Sequence, residues 1–329
     1  MHGAVRGGRM ARIKKLPKLD PSRAGTRPLG ELSRLVKLED FARPIRPGAS
    51  FGQFLDSLPA VLAAADLRDL ARRIAHAHRS GRTFLLMAGA HPIKTGLGPL
   101  ICELLRSGII SAVAMNGAAI IHDFELALAG RTSENVGEGL KDGSFGMAEE
   151  TGAFLNRAAV IAADEGRGLG EIVGREIVHQ RLKHRKLSIF ASAYEMGAPA
   201  TVHVAVGADI IHMHPGADGA AIGKATFADF HRLAEVIGTL SRGVVLNLGL
   251  AVIMPEVFLK ALNLCRNLGR KVRGFTTADM DFVRHYRPRV NVVERPTQGG
   301  GRGIMLTGHH EIMFPLLAAA VKEELRRRA

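Results

Sequence analysis

Two short stretches of this chain hold most of the side chains able to do chemistry. His91, Lys94 and Thr95 lie in one; Asn116, His122, Asp123 and Glu125 lie in the other. An imidazole exchanges protons near neutral pH, and a carboxylate beside it orients it or holds a cation. An ammonium holds an anion or attacks a carbonyl. His122 followed directly by Asp123 therefore reads as a base working beside a carboxylate, with Asp123 as a plain helix cap the competing reading. Lys94 reads as a phosphate ligand or an imine-forming amine, against a solvated first-turn lysine. Glu195, in Tyr194-Glu195-Met196-Gly197, is the best acid for a cationic amine. The candidate catalytic set is His122, Asp123, Glu125, Glu195 and Lys94. Gly89, Gly96, Gly117 and Gly249 allow a ligand to approach the backbone closely.

Alternating elements must place these residues. Thr83–Ala88 is an apolar run that stops at Gly89-Ala90-His91-Pro92, and Ile109–Met115 is a second that stops at Asn116-Gly117. Between them Leu97, Leu100, Ile101, Leu104 and Leu105 share one helical face. Further strands are expected at Ser188–Ala191, Ile210–His214, Val244–Leu248, Val272–Phe275 and Ile304–Thr307, with helices at Phe51–His78, 132–182, Pro255–Asn267 and Phe314–Arg328. Strands alternating with helices specify an α/β fold with a doubly wound, mostly parallel sheet, whose ligands bind beyond the carboxyl ends of the strands. Residues 1–48 read as a basic, irregular arm and 49–329 as a single α/β domain.

The 329 residues are 47% hydrophobic and 23% charged, an ordinary globular balance. No apolar run approaches the roughly 20 residues that span a bilayer. With no secretory signal in view either, a cytoplasmic protein without membrane contact is expected. Cys102 and Cys265 both sit on apolar helical stretches and read as reduced core residues. The net charge of +14 is uneven: residues 1–48 hold twelve Lys or Arg against four acids. Such an arm binds nucleic acid weakly or reflects an arginine-rich composition. Two Tyr and no Trp argue against a base-stacking platform. His212 and His214, with His203 or His309-His310, are the only metal-ligand candidates, and no Asp or Cys spacing supports them, so no metal is assigned.

The order of the strand ends resembles the deoxyhypusine synthase superfamily over about residues 80–325. Gly89–Gly96 is similar to that family's first dinucleotide turn, with His91 where the family has Asn. Asn116–Asp123 is similar to its next acidic turn, and Phe190–Gly197, Leu248–Ala251, Phe275–Ala278 and Phe314–Leu317 follow in the family's order. The resemblance implies a Rossmann-like NAD-binding fold and a homotetramer. It also implies cofactor contacts at Gly89, His91, Thr95, Gly96, Asn116, Gly117, Gly249, Thr276, Thr277, Asp279 and His309. The family's imine-forming lysine is missing: Arg295–Gly303 contains none, and arginine does not deprotonate to replace it. Asn116–Glu125 also resembles the NAD-dependent ornithine cyclodeaminase-type domain, which needs no such lysine. The expected function is NAD-dependent oxidation of a small amine, polyamine or diamino acid through an imine. The alternatives are a non-catalytic relative that binds RNA or a protein partner through its basic arm, and a histidine-based metal-dependent hydrolase.

Overall fold

The structure, a computed structural model, describes residues 16–327. Arg6, Arg9, Arg12, Lys14 and Lys15 of the arm, and Arg328, lie outside the described residues. The chain divides into two compact units, Met1–Glu39 and Asp40–Ala329. Described residues of the first form short turns such as Pro21–Arg23 and Leu29–Glu31, with nothing buried.

The second unit is built on one sheet of six parallel strands, ordered β3-β2-β1-β4-β5-β6. They are β1 (Phe84–Ala88), β2 (Ala112–Asn116), β3 (Ala200–His203), β4 (Val244–Leu248), β5 (Thr276–Asp281) and β6 (Arg302–Thr307). All residues of β1 and β4 are buried, which suits central parallel strands covered by helices on both faces. The helices are α1 (Phe51–Ser57), α2 (Leu62–Arg79), α3 (His91–Lys94), α4 (Gly98–Arg106), α5 (Gly117–Ala129), α6 (Val136–Gly139), α7 (Glu149–Glu165), α8 (Leu169–His179), α9 (Ile189–Glu195), α10 (Gly219–Gly238), α11 (Ile253–Asn267) and α12 (His310–Arg327). One apolar core lies between the sheet and α2, α4, α5, α7, α8, α9 and α12. The other lies under α10 and α11, around Leu233, Ile237, Met254 and Phe258. Strand order reverses between β1 and β4, so the crevice above their carboxyl ends is the topological switch point. The α/β, doubly wound, parallel fold read from the sequence is thus the fold observed. Among the described residues, no helix is long and apolar enough to cross a membrane.

Three strand expectations are corrected. Ser188–Ala191 begins helix α9 instead. Ser188 caps it, accepting from Ala191 N–H at 2.9 Å, and the Asp123 carboxylate accepts from Ile189 N–H at 2.7 Å. The strand of that region is β3, whose four residues directly follow Pro199. Ile210–His214 is a 3-10 turn over Ile210–Met213. Val272–Phe275 precedes its strand, since β5 starts at Thr276. Its buried Thr and Asp residues hid it from an apolar-run criterion.

As an edge strand, β3 leaves backbone groups unpaired, and α10 covers them. Asp229 accepts from Val202 N–H and Gly170 N–H, both at 3.0 Å, while Thr226 bonds Val202 O at 2.8 Å and Val204 N–H at 3.0 Å. Burial pushes the Asp229 carboxyl up to about 8.

Candidate functional site

Strand β2 runs straight into α5, and Asn116 joins them as the cap, its side chain accepting from Ala119 N–H at 3.2 Å. The first turns of α5 face a cavity of about 200 Å³ bounded by Lys94 of α3, the segments that follow α5 and the segment after β3. Lys94, His122, Glu125, Glu134 and Asp209 line it, with Ile121, Val136, Phe145 and Ile210 as apolar walls. His122 and Glu125 lie three residues apart on one face of α5 and share Thr132. The Thr132 hydroxyl donates to Glu125 Oε2 at 2.5 Å, and His122 Nδ1 lies 2.6 Å from Thr132 Oγ1. A hydroxyl that donates its proton to the carboxylate accepts from the ring, which assigns the proton to Nδ1 and leaves the Nε2 lone pair free. Burial, and then the Lys94 charge, hold His122 down to about 4, so the ring is neutral near pH 7. Thr151 donates to the other Glu125 oxygen at 3.3 Å.

Asp209 closes the cavity against the start of α5. A Cβ on Gly117 would lie 2.0 Å from Asp209 Oδ2, so glycine is what lets the carboxylate sit there. Oδ2 is buried and has no hydrogen-bond partner, and burial raises the carboxyl above its ordinary range. Asn116 and Gly117, read as cofactor contacts, thus serve as cap and carboxylate seat.

Two expected catalytic acids are corrected. Asp123 is 1% exposed and points away from His122 into the start of α9, where Ser188 Oγ and Ile189 N–H donate to it. It is the structural cap of a different helix, pushed up to about 6 by burial. Glu195 ends α9 just before β3 begins, an exposed residue at the N-terminal edge of the sheet, opposite the cavity.

Helix α3 separates this cavity from the switch-point crevice, with Lys94 toward the first and His91 toward the second. The His91 and His310 rings meet edge-on with centroids 5.1 Å apart. Burial, then His310, lower the His91 pKa. His310 is 1% exposed; its Nε2 lies 3.5 Å from Asp281 Oδ1, and neither ring nitrogen has a hydrogen-bond partner. Phe282 stacks on His309 with centroids 6.0 Å apart and planes 6° apart, both exposed at the rim. Below them Asn247 donates to Asp279 Oδ1 at 2.7 Å, and burial pushes Asp279 up to about 6.

The other residues expected at the cofactor lie at several places in the fold. A Cβ on Gly249 would meet His310 at 2.5 Å and one on Gly89 would meet Leu250 at 3.0 Å, so the space above both glycines is filled by the protein itself. Thr276 opens β5 at the N-terminal edge, while Thr277 and Asp279 are buried within the strand. Thr95 Oγ1 donates back to His91 O at 3.0 Å, and Gly96 is exposed in the left-handed turn that follows. Gly299, Gly300, Gly301 and Gly303 precede and enter β6 at the N-terminal edge of the sheet.

A dinucleotide meets a mixed setting in this crevice. The exposed, flat Phe282–His309 rim suits a planar group, with the buried His310 ring behind it. The glycine-rich first turn that usually cradles the pyrophosphate is absent. Asp281, Asp209 and Thr132 were missed in the sequence, because nothing local joins Thr132 to His122 or Asp209 to Gly117, and His310 was weighed only as a metal ligand beside His309. A histidine opening the last helix was the one available signal. His212 and His214 are not strand neighbours: His212 Nδ1 accepts from Gly207 N–H and His214 Nε2 lies 2.8 Å from Gly146 O. Among the described residues, no group of three or more His, Cys, Asp or Glu could hold a metal ion.

No protein-family model matches the chain, and no curated protein matches it. Among solved structures, the ternary complex of AgrE with ornithine and NAD+ is similar at a TM-score of 0.50 and 15% identity, covering 82% of this chain and 34% of AgrE. The chain therefore spans about a third of that protein. A conserved LOR/SDH-like protein from Methanococcus maripaludis S2 is similar at a TM-score of 0.50 and 16% identity, covering 82% of this chain and 71% of its own. A protein from Entamoeba histolytica assigned as a deoxyhypusine synthase reaches a TM-score of 0.49 at 10% identity, covering 85% of this chain and 95% of its own. The last carries no weight. At these identities the likeness is one of fold alone.

Proposed function

We propose that the chain is an enzyme acting on a small amine or diamino acid, with NAD as hydride acceptor and the cavity at the start of α5 as its substrate pocket. The observation that carries this reading is that Asp209, whose carboxylate keeps one buried, unpartnered oxygen, lines the same cavity as a neutral imidazole and an ammonium. Asp209 holds the substrate's cationic nitrogen beside Glu134, and Lys94 holds a carboxylate when the substrate is an amino acid. His122 Nε2 takes the proton that the ammonium must lose before oxidation, and Thr132 with Glu125 fixes the ring for that transfer. Ile121, Val136, Phe145 and Ile210 exclude water from the reacting centre.

In this reading NAD lies in the adjacent crevice, held by His91, Phe282, His309 and His310, and supplies hydride acceptance when bound. The fold of the AgrE complex supports the assignment. Calorimetric titration with ornithine and with spermidine tests the pocket. Asp209→Asn keeps the shape and removes the charge, so it is expected to weaken binding about tenfold, the loss of one charge-assisted hydrogen bond. Equal affinity in the variant excludes Asp209 as the cation acceptor.

A further inference from the structure

We propose a second binding site at the opposite edge of the sheet, for a small anion carrying two or more phosphate groups. It is built by Arg72, Arg73, His76 and Arg79 of α2 with Arg242 ahead of β4. These residues line a cavity of about 360 Å³ that also includes Val244 and Thr276, the first residues of β4 and β5. The site therefore stands at the far ends of the strands from the proposed substrate pocket and does not rest on that reading.

Its charge is only partly compensated: four arginines and one histidine line it against the carboxylates of Asp69 and Glu324. Arg72, His76 and Arg79 recur at the spacing that places residues on one helix face. Two carboxylates are nearby. Asp69 is divided among Arg73 at 2.9 Å, Arg302 at 3.6 Å and Arg72 at 4.0 Å. The other, Glu324, lies 3.9 Å from Arg327. Arg79 reaches only a backbone oxygen, Glu324 O at 3.1 Å. Arg242 is exposed and has no acidic partner among the described residues.

The backbone adds an independent observation. Arg242 has φ +61°, a left-handed conformation that a long side chain adopts at a cost, and Gly274 facing it has φ +67°. Glycine would suit the position better, so the backbone itself does not call for arginine there. Guanidinium groups fork onto phosphate oxygens in pairs, and the concave wall of four of them matches more than one phosphate. No aromatic side chain lines the cavity, which disfavours stacked bases of a nucleic-acid strand.

Calorimetric titration of the full chain with inorganic pyrophosphate is the test, with sulfate at equal ionic strength as control. Arg242→Gly removes one guanidinium while relaxing the backbone, so folding is not at risk. It should lower pyrophosphate affinity about tenfold, the scale of one charge-assisted contact, and leave the melting temperature unchanged or higher. Arg79→Met is expected to act similarly. Absence of pyrophosphate binding, equal affinity for sulfate, or unchanged affinity in Arg242→Gly would each overturn the proposal. Binding of a duplex RNA that is lost in Arg242→Gly, with no binding of pyrophosphate, would overturn it in favour of a polynucleotide surface.

Discussion

Thr132→Val cuts the hydroxyl that joins His122 to Glu125 and leaves the rest of the cavity in place. The hydroxyl makes one bond of 2.6 Å to the ring and one of 2.5 Å to the carboxylate. Losing a neutral bond and a bond to a charged group in a half-buried site costs about 2–3 kcal/mol at pH 7. The wild-type protein carries a further, acid-labile contribution. His122 is held at about 4 against an ordinary 6.5, so its contribution is fully present above 6.5 and is lost as pH falls toward 4. The interval corresponds to about 3 kcal/mol, of which solvent at the cavity mouth screens part, leaving about 2 kcal/mol. With valine in place, His122 Nδ1 and Glu125 Oε2, 3.8 Å apart, face each other directly. That contact favours the imidazolium, so His122 titrates higher and the variant loses less on acidification. Denaturant unfolding at about pH 7 and pH 5, with an NMR titration of the ring, measures both effects. The expected gap between the proteins is widest at pH 7 and narrows by about 1 kcal/mol at pH 5. A gap below about 0.5 kcal/mol at pH 7, or an unmoved His122 titration, refutes the relay.

Three other outcomes follow from the packing. Asp229 is pushed up to about 8, so its contribution is present below its ordinary 3.8 and is lost as pH rises toward 8. Asp229→Asn should therefore match the wild type near pH 4 in denaturant unfolding and exceed it by about 1–3 kcal/mol near pH 8. Gly170→Ala would place a Cβ 2.3 Å from Ala200 O, a backbone atom that no rotamer change moves. Its cost, read by thermal unfolding, is about 2 kcal/mol or more despite alanine's better helix propensity. Cys102 is buried and its thiol is pushed up to about 12 by that burial, so a thiol reagent should label it only after unfolding.

The central strands were legible because a parallel strand covered on both faces is an unbroken apolar run, as Phe84–Ala88 and Val244–Leu248 are. Strand β5 was misplaced by its own polar residues, since Asn247 donates to Asp279 across the sheet and sequence periodicity cannot show that pairing. Ser188–Ala191 looked extended, yet Asp123, 65 residues away, caps it as a helix. The same distance problem divides the candidate site. His122, Glu125 and Lys94 were found because they sit near strand ends visible in the sequence. Asp209 and Thr132 were not, because they reach the cavity only through the loops that follow β3 and α5. Asp123 was misread because adjacent helix residues diverge by about 100°, so His122 and Asp123 face different neighbours.

Titration of the purified full chain with NAD+, alone and with ornithine present, tests the functional account most directly. The account predicts saturable NAD+ binding that is weakened in Phe282→Ala and His91→Ala and strengthened when ornithine fills the neighbouring cavity. Ornithine bound with no NAD+ bound at any concentration would contradict the cofactor assignment, and neither ligand bound would contradict the amine-enzyme reading itself.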